Sequence, residues 1–139
     1  MFILDTNVVS ELRKGRSGKA DRNVTKWARG TPTASLFLSV ITILELELGV
    51  RLLERRDETQ GIIMRTWLDE HVRPAFDGRV LPIDTLVALE CARLHVPNPR
   101  AERDALIAAT ARVHSMTVVT RNVADFAATG VEVFNPWTD

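Results

Sequence analysis

The chain has 139 residues, 45% of them apolar and 26% charged, and its 18 basic side chains balance 18 acidic ones. That length and mixture describe one soluble globular domain, residues 1–139, able to bury a core without staples, and exclude disordered, collagen-like and disulfide-scaffold chains. Cys91 is the single cysteine, so no intrachain disulfide can form and a reducing, cytoplasmic setting is expected.

Phe2–Leu4 reads as a short buried strand, and a helix starting at Thr6 stops by Gly15. Asp5 directly follows the four apolar residues Met1 to Leu4, with no basic run or long apolar stretch, so no signal peptide is expected. A second helix is expected over Gly18–Arg29, ended by Gly30 and Pro32, and a strand over Ala34–Val40. Leu44, Leu48 and Leu52 recur at helical spacing within Thr42–Arg56, and with Ile43 read as core or as contact with a second copy. The longest apolar-rich region, Leu36–Val50, is broken by Ser39, Thr42, Glu45 and Glu47 and is therefore unfit to span a membrane. Further expectations are a helix over Glu58–Val72, a strand over Arg79–Ile83 and a helix over Thr85–His95. After these come a helix entered at Pro99, capped by Asn98 and running to His114, and a strand over Thr117–Thr120. A helical turn over Val123–Ala128 and a strand over Val131–Phe134 complete the chain. Such alternation predicts an α/β fold, a parallel sheet of about five strands between helical layers. Chemistry in such sheets sits beyond the carboxyl ends of the strands, where the strand order switches.

Neutral overall charge conceals a basic segment. Between Arg13 and Arg29 seven cations face the single acid Asp21, a local charge of +6. Arg13, Lys14, Arg16, Lys19 and Arg22 are the candidate contacts to a polyanion, set against the plainer reading of a solvated helix face. Trp27 within the segment is a core residue or, less readily, a platform for a base. The histidines (His71, His95, His114) are too scattered for a paired ligand motif and read as surface or core-edge residues.

Four carboxylates fall at or near strand ends. Asp5 follows the first strand and doubles as a helix N-cap, and Asp125 lies just past the fourth strand, in a first helical turn. Glu45 stands three residues after Thr42, a spacing that also fits a capping box. Asp104 lies in an Ala-rich apolar helix with the weakest structural reason to be there. With strand order 3-2-1-4-5 all four converge on one edge, where they would repel one another unless a cation neutralised them. All-oxygen ligation suits Mg²⁺ or Mn²⁺ rather than zinc, and with the basic segment it implies a phosphodiester substrate.

These residues come in blocks: Ile-Leu-Asp5-Thr6-Asn7, Ser-Val-Ile-Thr-Ile-Leu-Glu45-Leu, Asp104-Ala-Leu-Ile-Ala-Ala-Thr, and Val-Thr120-Arg-Asn122-Val-Ala-Asp125-Phe. With the closing Asn135-Pro136-Trp137, the chain resembles the PIN-domain proteins, in particular the VapC/FitB-like toxins of VapBC toxin–antitoxin pairs. The resemblance implies an α/β/α sandwich acting as a Mg²⁺- or Mn²⁺-dependent endoribonuclease. It further implies a homodimer, held in check by a cognate VapB/FitA-like antitoxin. Asp5, Glu45, Asp104 and Asp125 would form the acidic quartet, with Asp5 and Asp104 as metal ligands. Thr6, Asn7, Thr120 and Asn122 would orient the carboxylates or the RNA. Asn122 stands where some relatives carry a further acid. Three alternatives remain: a PIN nuclease of RNA processing or DNA metabolism, a non-catalytic receiver-like module, and a dehalogenase-type phosphatase. The last would want a second Asp at position 7, where this chain has Asn7.

Overall fold

The computed structural model describes residues 1–138, and the side chain of Arg16 lies outside the described residues. Five short parallel strands form one sheet: β1 (Phe2–Leu4), β2 (Leu36–Ser39), β3 (Val80–Leu81), β4 (Thr117–Val119) and β5 (Val133–Phe134). Their order is β3-β2-β1-β4-β5, the order on which convergence of the four carboxylates is conditional, and β1 lies between β2 and β4. Among the described residues eight α-helices accompany them: α1 (Thr6–Arg13), α2 (Arg22–Arg29), α3 (Val40–Arg56), α4 (Glu58–Thr66), α5 (Arg73–Ala75), α6 (Thr85–Leu94), α7 (Glu102–Val113) and α8 (Val123–Phe126). A π-helical stretch, Trp67–Val72, joins α4 to α5.

Strand periodicity sorts the core into two layers. Ile3 and Val118 point to one face of the sheet, where they meet α6, α7 and Phe126. Their neighbours Leu4 and Val119 point to the other, where they meet α1, α3 and the segment around Leu68 and Val72. All four strand residues are fully buried, as a central strand pair covered on both faces requires. Alanines at 105, 108, 109 and 111 are likewise fully buried, so α7 approaches the sheet closely.

Several boundaries differ from the sequence reading for local reasons. α2 begins at Arg22 rather than Gly18, because Asp21 caps it by accepting from the N–H groups of Asn23 and Val24. α3 begins at Val40, with the Ser39 hydroxyl accepting from Ile41 N–H, so Thr42 is not an N-cap and no capping box forms with Glu45. α7 begins at Glu102 after Ala101, without a side-chain cap, so Asn98 does not cap it. Trp27 is a core residue, edge-on to Phe2 at 5.4 Å and 5.6 Å from Phe134 between ring centroids. Leu44, Leu48 and Leu52 are exposed, at 47%, 39% and 58%, while Leu46 and Val50 supply the inward face of α3. Burial in the core of this chain is thus excluded for these three, while Ile43 is half-buried and packs against the core.

α3 and α4 form a tight antiparallel pair. Arg65 clamps Glu47 at 2.6 Å and Glu54 at 3.1 Å, which holds the Glu47 carboxyl down at about 2. Gly61 is what lets the helices close, since a Cβ there would sit 2.6 Å from the Glu54 Cα. Replacing a mid-helix glycine by alanine ordinarily gains about 1 kcal/mol. Here the clash is with backbone, and overpacking costs about 1–3 kcal/mol. Gly61→Ala is therefore expected to lower the thermal unfolding midpoint; a rise would contradict this packing.

Candidate active site

The site is built where β1 and β4 end side by side. Asp5 N–H donates to the Val119 carbonyl at 2.9 Å, extending the ladder by one residue past β1. That places the Asp5 carboxylate opposite Thr120, the first residue after β4, and the buried Thr120 hydroxyl donates to Asp5 Oδ2 at 2.8 Å. Asp5 Oδ1 accepts from Thr6 N–H, so Asp5 both caps α1 and faces the site. Asn7 Nδ2 lies 3.3 Å from both Asp5 Oδ2 and Thr120 Oγ1, and Asn7 Oδ1 accepts from Arg121 N–H. The Asn122 N–H donates to Thr120 Oγ1 at 3.0 Å, while its side chain is exposed.

Glu45 enters from the second turn of α3, where the Thr6 hydroxyl donates to its Oε1 at 2.8 Å. Thr6 thus ties α3 to the end of β1, a bond across 39 residues that no local reading of Thr-Ile-Leu-Glu anticipates. Asp104 lies in the first turn of α7 and Asp125 in that of α8, where the helix dipole favours an acid.

The four carboxylates sense one another. Burial pushes the Asp5 carboxyl above its ordinary range, against hydrogen bonds from Thr120 and Thr6, and repulsion from Glu45 and Asp125 pushes the same way. Asp104 is raised too, first by burial and then by Asp5, Asp125 and Glu45. No hydrogen bond from a described residue lowers the Asp104 carboxyl in return. A partly buried acid facing three others without a donor of its own suits a cation, and the donor set is all oxygen. The residues present therefore fit Mg²⁺ or Mn²⁺.

The basic segment is spread over several local surroundings. Arg13 lines an apolar groove with Trp67 and His71, and Lys14 pairs with Glu11 at 3.1 Å. Lys19 is exposed, Arg22 lines an open groove with Lys26 and Arg29, and the Arg16 side chain lies outside the described residues.

Two further arrangements escaped the sequence reading. Arg103 brings Nη1 to 3.7 Å from Glu45 Oε2. Cys91 on α6 and His95, the residue that ends it, stand one turn apart and, with Glu102, bring candidate ligand atoms within 4.8 Å. That group is a hydrogen-bonded turn. His95 Nδ1 accepts from Arg100 N–H at 3.2 Å, which places the neutral ring's proton on Nε2, itself 3.1 Å from Glu102 Oε2. A metal at Nε2 would require the opposite tautomer.

The family pattern described as PIN domain matches residues 2–131. The chain belongs to the PIN-domain family. This PIN domain is 38% identical over 144 residues to Toxin FitB of Neisseria gonorrhoeae, covering 100% of both chains. It is 36% identical over 142 residues to VapC ribonuclease Y4jK of Sinorhizobium fredii, covering 99% of this chain and 98% of the relative. The solved structure of FitAcB from Neisseria gonorrhoeae superposes with a TM-score of 0.90 at 37% identity, covering 100% of both chains.

A site assembled from like charges is held together at a cost in stability. Asp104→Asn is expected to raise the melting temperature in EDTA by about 2–4 °C, by removing repulsion. A lowered midpoint would mean that Asp104 is a structural cap instead.

Proposed function

We propose that the chain is a single PIN domain acting as a metal-dependent endoribonuclease, the toxin of a VapBC-type toxin–antitoxin pair. The convergence of Asp5, Glu45, Asp104 and Asp125 on one edge of the sheet carries this reading. The names of the full-length relatives, Toxin FitB and VapC ribonuclease Y4jK, support it. A receiver-like module gives no reason for Glu45 and Asp104 to join Asp5. The phosphatase alternative fails at Asn7, whose amide is spent on Asp5, Thr120 and Arg121.

Asp5 and Asp104 would hold Mg²⁺ or Mn²⁺, with Glu45 and Asp125 completing the negative rim. When bound, such an ion acidifies a water and offsets charge building on the phosphoryl oxygens. The residues of the chain do the orienting. Thr120 from the end of β4 and Asn7 from α1 fix the Asp5 carboxylate, and Thr6 fixes Glu45. Unneutralised, the quartet would repel an RNA phosphate, so substrate affinity is coupled to the cation.

The partners proposed are RNA, a second copy and a VapB/FitA-like antitoxin. The exposed stripe of Leu44, Leu48 and Leu52 is an apolar surface fit for the second copy. The solved relative contains FitA with FitB, and a basic antitoxin side chain entering the quartet would substitute electrostatically for the metal. Among the described residues no helix is long and apolar enough to cross a membrane, and the cytoplasm is the proposed place of action.

Asp5→Asn and Asp104→Asn are each expected to leave circular dichroism unchanged while lowering Mg²⁺-dependent RNA cleavage at least about a hundredfold. Near-normal cleavage by either folded variant would overturn the assignment. Millimolar Mg²⁺ is expected to raise the melting temperature of the wild type, because it binds only the native state, and not that of Asp104→Asn. Equal shifts would place the ion elsewhere.

A further inference from the structure

Arg121 sits at the rim of the carboxylate cluster, yet its side chain turns away from the acids. Its backbone is fixed there, directly after Thr120, with its N–H donating to Asn7 Oδ1 at 3.3 Å. Its guanidinium carbon instead lies 5.3 Å from the centroid of the Trp137 ring. Arg103, by contrast, reaches Glu45. Among the described residues no carboxylate pairs with Arg121, and its side chain is exposed. A cation beside four acids would fold onto them if nothing held it, and the aromatic face supplies that hold. Stacking leaves the planar fork of N–H donors open at its edge, the geometry that suits a phosphate.

Trp137 is itself a built pedestal. Asn135 Oδ1 accepts from Trp137 N–H at 2.9 Å, making a tight turn around the buried Pro136. Asn23 Nδ2 on α2 donates to the Trp137 carbonyl at 2.8 Å, and the indole packs on the core layer that contains Leu4 and Val119. This gives the closing Asn-Pro-Trp a task. It carries an arginine platform next to the quartet and joins it to α2, whose Arg22, Lys26 and Arg29 line the open groove.

We propose that Arg121, seated on Trp137, binds the RNA phosphate adjacent to the scissile one and guides the strand from the carboxylate cleft toward α2. The proposal rests on the ribonuclease reading above and names a substrate-binding residue for that same site.

The test uses the full-length protein with Mg²⁺ and two measurements. One is anisotropy of a short single-stranded RNA, read on rapid mixing before cleavage, across a KCl series; the other is steady-state cleavage of the same RNA. Losing one charge-assisted contact is expected to weaken binding by Arg121→Ala about tenfold and raise KM to match, with kcat changed far less. The slope of log affinity against log salt should shrink by about 0.7, the value for one phosphate contact to a single strand. Arg121→Lys should restore the slope but only part of the affinity, because an ammonium is not a fork. Trp137→Phe keeps an aromatic face and should stay near the wild type. Trp137→Ala, if folded, should match Arg121→Ala and add nothing in the double variant.

Wild-type affinity and slope in folded Arg121→Ala would overturn the proposal while leaving the ribonuclease reading standing. So would a variant that loses only antitoxin binding, which would assign Arg121 to the protein partner. A wild type that neither binds nor cuts RNA in Mg²⁺ would overturn both.

Discussion

The arrangement depends on the hydrogen bond between two residues 115 positions apart, Thr120 Oγ1 and Asp5 Oδ2, at the ends of adjacent parallel strands. β1 and β4 pair residue by residue, Phe2 with Thr117, Ile3 with Val118 and Leu4 with Val119, so both strands end at the same level. Once they do, Asp5 and Thr120 meet without further adjustment. A register slip of one residue would turn Asp5 toward the opposite face of the sheet and bury an apolar residue's place with a charge. The fully buried strand residues beneath forbid that slip, so the core enforces the position of the site.

The same scaffold explains how four like charges are tolerated. Three of the acids stand at helix entries: Asp5 caps α1, and Asp104 and Asp125 occupy the first turns of α7 and α8. Helix N-termini carry partial positive charge, which offsets part of the repulsion. Glu45, deeper in α3, has the Thr6 hydroxyl and the neighbouring Arg103 instead. Asp104 keeps burial and the repulsion of all three other acids against it. At the cation site proposed above, structural stability and cation affinity would be opposing demands on that residue.

Much of the fold was legible in the sequence because two periodicities were clean. Short apolar runs alternating with amphipathic segments implied the parallel sheet, and the rule of strand ends then selected Asp5 and Asp125. Asp104 stood out by contrast with its alanines. The rest required coordinates because the signals were long-range or ambiguous. Thr6 bonding Glu45 and Asn23 bonding Trp137 leave no trace in local spacing. The Leu44, Leu48, Leu52 stripe has ideal helical spacing yet faces outward, because Leu46 and Val50 fill the inner face. Arg121 lay inside a motif already singled out, but nothing in Thr-Arg-Asn announces that its side chain stacks on a tryptophan sixteen positions later.

The central claim is that one divalent ion binds between Asp5 and Asp104. Anomalous diffraction from crystals soaked in Mn²⁺ tests it most directly. The account predicts a strong peak contacting both carboxylates, at the edge where β1 and β4 end. A sole peak at the Cys91, His95 and Glu102 turn, or none at the quartet under saturating Mn²⁺, would contradict it.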